Sequence, residues 1–363
     1  MLVKGTSSLS VHKGHILLIQ LGDIGDVVLT LPTLKALRQY FPERRLFVCV
    51  REQARDLMED IPLADEVLSI RKAFKGKTRW IAHQQTVLKT LVGNRFYLTI
   101  DLRTGTRGAV LAALSMARYR IGRFADPAGW WRNRVFTHLI RPENEQAQYA
   151  AEHNLNIIAP FGWGTSDIRP CLPVGGTRKK RALRLLKKAG VPENRPCIAV
   201  HPFSLWAYKE WRQDGVIALI NRIKADYDVS VLITGAPYET ERVTPILRGC
   251  RTRAYSLVGK TSIGDLPAVL QSCRCFTGVD TAALHIAAAV GTPTVGIFGP
   301  SAPVNWAPRG ESHGVVTRGF SCQPCRQKGC QDSETSRCLD ELNMETVYGA
   351  VKGMFRKTGV SSL

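Results

Sequence analysis

The chain of 363 residues is long enough for two domains of ordinary size, each with its own hydrophobic core. Its hydrophobic content is 44% and no run approaches the roughly 18 apolar residues of a membrane span, so composition predicts a soluble globular protein. The net charge of +20 is unevenly placed: residues 1–70 carry 8 basic against 9 acidic residues, whereas residues 71–141 carry 15 against 2. This basic block predicts an acidic partner, namely nucleic acid, a phosphorylated substrate or an anionic membrane surface.

The N-terminal residues 1–14 contain no apolar core and do not resemble a secretory signal, so the sequence predicts a short extension on a cytoplasmic protein. A buried strand over 15–20 then leads into the turn Leu-Gly-Asp-Ile-Gly-Asp and an amphipathic helix. The turn lacks the three-glycine spacing of a dinucleotide fingerprint. Its two carboxylates, Asp23 and Asp26, would repel a phosphate. The pattern therefore favours a general base, with a helix cap by Asp26 as the structural alternative.

The rest of the first half alternates strands and helices, as in a parallel α/β sheet. Strands are predicted at residues 46–50, 67–70 and 97–101, with a basic helix over 71–95 and another helix ending at Met116. Four arginines follow among aromatic residues over 119–134. Such arginines and aromatics could stack nucleic-acid bases, or they could be core aromatics with arginines extending to the surface.

A Pro- and Gly-rich linker near 170–177 begins the second half. A strand over 196–201 runs into a loop that contains Ser204 and Lys209, and Lys209 is predicted to bind a phosphate unless it is simply a surface lysine. The next strand, 229–234, is followed by Glu239, which is placed to accept hydrogen bonds from ribose hydroxyls.

Residues 275–298 read as strand, tight turn, helix and strand, a βαβ unit. The turn is Asp280-Thr281, and His285 lies on the first turn of the helix that follows. Free backbone N–H groups at a helix N-terminus, where a parallel sheet binds its ligands, predict a phosphate there. The alternative is that Asp280 and Thr281 only cap the helix.

Four of the ten cysteines, Cys322, Cys325, Cys330 and Cys338, are clustered with the spacing C-x2-C-x4-C-x7-C. The pattern is incomplete for a zinc ribbon, and a cytoplasmic chain makes disulfides unfavourable. A structural metal, reduced thiols and a redox clip stay open, and reduced thiols without metal are favoured.

Four motifs together resemble the ADP-heptose lipopolysaccharide heptosyltransferases of glycosyltransferase family 9. They are LGDIGDVVLTLP at 21–32, KEW at 209–211, GAPYETER at 235–242, and GVDTAALHIAAAVGTPTVGIFGPSAPVNWAP at 278–308. The resemblance implies an α/β fold of the GT-B type, with two Rossmann-like domains whose parallel sheets face each other across a cleft. It implies an acceptor domain over 15–173, an ADP-sugar domain over 174–345, and a C-terminal helix within 346–363 that packs back on the first domain.

The family's activity implies inverting, metal-independent transfer of heptose from ADP-heptose to the inner core of lipopolysaccharide, without a cofactor. The resemblance makes Asp26 the general base. It makes these residues the donor site: Ser204 and Lys209 for the diphosphate, Glu239 for ribose, and Asp280, Thr281 and His285 for sugar and phosphate. The acidic acceptor is expected to contact some of Asp23, Arg103, Arg107, Arg120 and Arg123.

One position departs from the family pattern, because Ala282 stands where a glycine or serine is usual. Another nucleotide sugar therefore remains an alternative donor, and a non-enzymatic nucleic-acid-binding module remains an alternative class. With the family's activity, the basic block fits the acidic acceptor and the anionic cytoplasmic face of the inner membrane, and no nucleic acid is needed as a partner.

Overall fold

A computed structural model of the protein describes residues 1–11, 14–71, 76–127 and 129–362. The chain divides into two compact units, Met1–Pro170 and Cys171–Leu363. Each unit is built around its own parallel sheet, as the α/β prediction requires.

The first unit alternates strands with helices along the chain. Its strands are β1 Leu2–Lys4, β2 His15–Gln20, β3 Leu46–Arg51, β4 Glu66–Ile70, β5 Phe96–Asp101, β6 Tyr119–Arg123 and β7 His138–Ile140. Its helices are α1 Ile24–Val28, α2 Leu31–Tyr40, α3 Arg55–Met58, α4 Lys77–Gly93, α5 Thr106–Leu114, α6 Arg132–Val135 and α7 Ala150–Leu155.

The strands of this unit lie in the order β1-β7-β6-β5-β2-β3-β4. All pairs are parallel except β1 with β7, so the first residues, predicted as an extension, instead form an antiparallel edge strand. Strand β2 is almost entirely apolar because helices cover both faces of a parallel sheet, and Ile16, Leu17, Leu18 and Ile19 are all buried. The chain leaves β2 toward β3 on one side and later returns to β5 on the other, so the strand order reverses between β2 and β5.

The predicted basic helix over 71–95 is shorter in the structure, where α4 begins at Lys77. Residues 72–75 of that prediction lie outside the described residues.

The second unit repeats the alternation. Its strands are β8 Cys197–His201, β9 Ser230–Ile233, β10 Tyr255–Ser256, β11 Cys275–Val279, β12 Thr294–Ile297 and β13 His313–Val316. Its helices are α8 Gly176–Ala189, α9 Gln213–Asp226, α10 Val243–Gly249, α11 Leu266–Gln271, α12 Ala282–Ala289, α13 Pro303–Trp306, α14 Arg337–Asp340 and α15 Met344–Thr358. The order is β10-β9-β8-β11-β12-β13, all parallel, and it reverses between β8 and β11.

The C-terminal helix α15 corrects one expectation. It packs against α9 and the strands β11, β12 and β13, and its buried side chains Val347, Val351 and Phe355 belong to the core of the second unit. The predicted packing on the first domain is therefore wrong. The reason is that the apolar stripe of α15 completes the cover of the second sheet, where Tyr227 meets Phe355 edge to face with ring centroids 4.9 Å apart.

No helix within the described ranges is both long and apolar enough to cross a bilayer.

Candidate active site

Asp26 lies just beyond the carboxyl end of β2, at the point where the order of the first sheet reverses. Its carboxylate Oδ2 accepts a hydrogen bond from the Asp23 amide at 2.9 Å and pairs with Arg103 Nη1 at 3.0 Å. A Cβ atom at position 22 would lie only 2.3 Å from Asp26 Oδ2, so the turn accommodates this carboxylate because residue 22 is glycine. The Oδ1 atom has no hydrogen-bond partner among the described residues, which leaves it available to accept a proton.

Buried polar side chains that the sequence analysis did not single out hold the turn that carries Asp26. Gln20 Oε1 accepts a hydrogen bond from the Gly22 amide at 3.1 Å, and Gln20 Nε2 donates to Thr30 Oγ1 at 2.9 Å. Asn154 Nδ2 donates to the Leu29 carbonyl at 3.2 Å. These buried contacts fix the backbone around Asp26 and so limit where its carboxylate can lie.

Arg103, the partner of Asp26, is anchored through its backbone. The Arg103 amide donates to Asp101 Oδ1 at 3.1 Å, and the Arg103 carbonyl accepts from Arg132 Nη2 at 2.8 Å. Asp101 and Arg132 are both 1% exposed, and Arg132 Nη2 lies 3.8 Å from Asp101 Oδ2. The buried side chains of Asp101 and Arg132 therefore hold the backbone of Arg103, which pairs with Asp26. The only sequence signal for this arrangement was the acidic end of the strand that closes at Asp101.

Burial raises the pKa of the Asp101 carboxyl to about 7, although the Arg103 amide and the Arg132 charge both favour the ionised form. In the unfolded chain the group titrates near its ordinary value of 3.8. Between about pH 4 and 7, the Asp101 carboxyl therefore keeps a proton in the folded protein that it has lost in the unfolded chain. This group makes the free energy of unfolding fall as pH rises through that range.

We expect Asp101→Asn to reduce the fall in unfolding free energy between about pH 4 and 7, by on the order of 1–4 kcal/mol, because it removes that proton difference. Urea unfolding of both proteins at several pH values measures the slopes. Asp126→Asn, which changes a carboxylate that is 74% exposed, serves as the control and should keep the wild-type slope. Equal slopes in wild type and Asp101→Asn would contradict the assignment.

The predicted acceptor arginines differ in their surroundings. Arg107 is exposed at the start of α5. Arg120 instead lies in the amino-terminal half of β6, where its guanidinium donates to the Val135 and Ala117 carbonyls at 2.8 and 2.6 Å. Arg123 is paired with Glu145, and Asp23 with Arg51 Nη1 at 2.7 Å. The guanidinium of Arg120 therefore bonds to the backbone near the amino-terminal ends of β6 and β7, whereas Asp26 follows the carboxyl end of β2.

In the second unit, Lys209, Asp280 and His285 converge where the order of the sheet reverses between β8 and β11. Lys209 Nζ lies 2.7 Å from Asp280 Oδ2, and His285 Nε2 lies 3.8 Å from Asp280 Oδ1. Burial alone would raise the pKa of Asp280, but the charges of Lys209 and His285 and the Lys209 hydrogen bond hold it below its ordinary value. Asp280 is therefore a buried carboxylate whose charge is balanced by a lysine that is still 22% exposed.

Thr281 is the N-cap residue of α12, and its hydroxyl Oγ1 is buried without a hydrogen-bond partner in the described part of the chain. The first turn of α12 also leaves backbone N–H groups without intrahelical acceptors. A cation, a helix N-terminus and an unsatisfied hydroxyl therefore lie together at this end of the sheet, which is an arrangement suited to a phosphate.

Two other residues predicted for the ADP-sugar site, Ser204 and Glu239, make hydrogen bonds within the second unit. The Ser204 hydroxyl accepts from the Trp206 amide at 3.2 Å, and the Ser204 amide donates to Glu210 Oε1 at 2.7 Å. Glu239 is 2% exposed, and its Oε2 accepts from the Ala236 amide at 2.6 Å. Burial raises the pKa of Glu239, against the opposing effect of that hydrogen bond. Both residues therefore shape the loops on which they lie.

All ten cysteines are free thiols. Burial, followed by the charges of Cys330, Cys325 and Cys322, raises the pKa of Cys338 to about 11, so the four clustered cysteines are neighbours in space. Within residues 1–11, 14–71, 76–127 and 129–362, no set of three or more His, Cys, Asp or Glu side chains is arranged to hold a metal ion.

Known proteins share this arrangement of two parallel sheets. The chain is 27% identical to lipopolysaccharide heptosyltransferase 3 of Escherichia coli, over 78% of this chain and 83% of that protein. It is similar to the structure of a family 9 glycosyltransferase from Veillonella parvula, with a TM-score of 0.80, 19% identity, and coverage of 97% of this chain and 100% of the other. The structure of the ADP-heptose lipopolysaccharide heptosyltransferase II of Escherichia coli gives a TM-score of 0.77, 18% identity, and coverage of 95% and 100%.

These structural likenesses confirm the predicted GT-B architecture of two parallel-sheet domains. The sequence profile of glycosyltransferase family 9 (heptosyltransferase) matches residues 85–335, a range that contains the whole Lys209–Asp280–His285 cluster. Because this match covers more than half of the chain, the protein belongs to glycosyltransferase family 9, the heptosyltransferases of lipopolysaccharide core biosynthesis.

Proposed function

We propose that the protein transfers heptose from ADP-heptose to an acidic sugar acceptor in the inner core of lipopolysaccharide, with inversion at the anomeric carbon. The observation that carries the proposal is the pairing of Lys209 with the buried Asp280 beside the N-terminus of α12. This cluster offers positive charge and free N–H groups to a diphosphate, and the structurally similar Escherichia coli enzyme is an ADP-heptose lipopolysaccharide heptosyltransferase.

The donor is bound by the second unit in this proposal. Lys209 and the amides of α12 neutralise the charge that develops on the diphosphate as its bond to the sugar breaks, and the Thr281 hydroxyl donates a hydrogen bond to a phosphate oxygen. Asp280 keeps Lys209 in place and accepts a hydrogen bond from a sugar hydroxyl. Because protein groups supply this positive charge, the proposed transfer needs no metal ion.

The acceptor is bound by the first unit. Its hydroxyl oxygen attacks the anomeric carbon from the face opposite the leaving diphosphate, and its proton passes to Asp26 Oδ1. One displacement forms the new glycosidic bond and breaks the bond to ADP, so the configuration at that carbon inverts. Arg103 orients Asp26, and the exposed Arg107 is placed to pair with an acidic group of the acceptor. Arg120 and Arg123 are left out of this binding role because their guanidinium groups are engaged within the unit.

We further propose that the enzyme works at the cytoplasmic face of the inner membrane without inserting a helix. The support is the +13 charge of residues 71–141, since basic residues near an anionic membrane surface each contribute about 1 kcal/mol and salt screens them.

The proposed function is tested by binding and by product analysis. We expect calorimetry to show ADP binding, with ADP-sugars preferred over UDP- and GDP-sugars, and transfer from ADP-heptose to an inner-core oligosaccharide. NMR of the product should show the inverted anomeric configuration, and a chelator should leave the rate unchanged. A preference for UDP- or GDP-sugars would show that another nucleotide sugar is the donor, which is the alternative raised by Ala282. No binding of any nucleotide sugar would refute the proposal.

A further inference from the structure

Helix α4 of the first unit exposes apolar side chains that a soluble protein ordinarily buries. Val87 and Leu91 pack into the core, but Ile81, Leu88 and Val92 on the adjacent stripe of the helix are each 45–49% exposed. These three recur at positions i, i+7 and i+11, which places them on one face. A single exposed apolar residue is normal on a protein surface, whereas a stripe along a 17-residue helix calls for a partner.

The neighbouring helix also exposes apolar side chains. Helix α5 packs beside α4 and exposes Val110 and Leu114, which are one turn apart and 43% and 39% exposed. Trp80, at the first turn of α4, is 52% exposed. We call these six residues, Trp80, Ile81, Leu88, Val92, Val110 and Leu114, the α4–α5 face.

The exposed charges on the segment that carries the α4–α5 face are all basic. Residues 76–118 contain seven basic residues, and the single acidic residue among them, Asp101, is buried. Lys77, Arg79 and Lys89 lie on α4 itself and are exposed. A second copy of the chain would bring cations against cations, so self-association through this face is opposed by charge. An anionic surface is attracted by it.

We propose that the α4–α5 face docks the enzyme on an anionic lipid bilayer, with α4 lying in the plane of the headgroups. An interfacial helix combines an apolar stripe, cationic residues and an aromatic side chain at the level of the headgroups, which are the features of α4. The inference rests on the proposed function for its biological reason, because a lipopolysaccharide acceptor is anchored in a membrane. The unit that docks is also the one that carries Asp26, the proposed base.

The test compares sedimentation of the full-length protein with vesicles of phosphatidylglycerol and phosphatidylcholine and with vesicles of phosphatidylcholine alone. Wild type should bind the anionic vesicles at low salt and lose binding steeply as salt rises. The double variant Ile81→Gln/Leu88→Gln removes two exposed apolar side chains without touching the core. It should weaken binding by about tenfold or more, since each apolar side chain placed among lipids contributes to the affinity.

Leu183→Gln is the matched control, because Leu183 is 61% exposed on α8, another basic helix, and lies outside the α4–α5 face. It should bind as wild type does. Equal binding by the double variant and wild type, or a loss confined to Leu183→Gln, overturns the proposal. Absence of wild-type binding to anionic vesicles at low salt also overturns it, as does a wild-type dimer that the double variant dissociates.

A separate measurement distinguishes this inference from the proposed function. The double variant should keep wild-type ADP affinity and wild-type transfer to a water-soluble acceptor. Vesicle binding without nucleotide binding would refute the proposed function and leave the docking face standing. Nucleotide binding without vesicle binding would refute the docking face and leave the proposed function standing.

Discussion

Replacing Asp26 with asparagine is expected to lower turnover by about 10²–10⁴-fold, because general-base catalysis typically contributes that factor. Asparagine keeps the size of the side chain and can still accept a hydrogen bond from the Asp23 amide, so the turn should hold its shape. Affinity for ADP-heptose should stay near the wild-type value, since the proposed donor site belongs to the other unit. Single-turnover kinetics together with calorimetry separate these two effects.

Asp23→Asn is the matched control, because Asp23 lies on the same turn and its carboxylate pairs with Arg51. We expect this variant to keep most of the turnover. If Asp23→Asn is inactive and Asp26→Asn retains activity, the two assignments must be exchanged. If neither change matters, the base lies elsewhere and the proposed chemistry is wrong.

Replacing Lys209 with alanine is expected to weaken ADP binding by about tenfold or more, since a charge-assisted hydrogen bond is worth roughly 1.5–3 kcal/mol. The structure adds a second effect, because Lys209 is the charge partner of the buried Asp280 at 2.7 Å. Its removal leaves a carboxylate without its counter-charge, so the variant should also lose about 1–3 kcal/mol of stability. Calorimetry with ADP measures the first effect and urea unfolding the second.

The double variant Lys209→Ala/Asp280→Asn separates a phosphate contact from a purely structural role. It removes both charges and so relieves the unpaired carboxylate. If Lys209 binds phosphate, stability should recover while ADP affinity stays low. Recovery of ADP affinity along with stability would show that Lys209 acts only by neutralising Asp280. As a further control, Lys188→Ala changes an exposed lysine on α8 and should alter neither quantity.

Local pattern was enough to predict most elements of the chain. The apolar run of β2, the glycine turn before Asp26, and the βαβ unit from β11 to β12 are each specified by residues that are neighbours in sequence. A buried strand, a turn and a helix cap are decided within a few residues, because they depend on hydrogen bonds and apolar spacing over short distances. The family motifs are of the same local kind, which is why they predicted the fold type and the identity of Lys209 and Asp280 as site residues.

Strand order had to come from the tertiary structure, because it depends on which helices cover which face of the sheet. That order places the end of β8 beside the end of β11, and so brings Lys209 within 2.7 Å of an aspartate that follows it by 71 residues. It also places β5 beside β2, which sets Arg103 against Asp26 and buries Asp101 with Arg132 beneath them. No periodicity reveals such a pairing, since a charged side chain at a strand end has the same sequence pattern whether it is buried or exposed.

For the C-terminal helix, too, the sequence predicted the element and the tertiary structure decided where it packs. Its amphipathic spacing predicted a helix, and α15 is one, but the apolar stripe carries no information about which sheet it will cover. Helix α4 is a second example. Its apolar residues can be read from the sequence, but only the packing of the first unit decides which of them are buried and which stay exposed. Sequence thus determined the elements, the motifs and the net charge of this protein. Packing between elements that are distant in the chain decided which side chains meet, which are buried and which face the solvent, because those outcomes depend on the summed burial of whole surfaces.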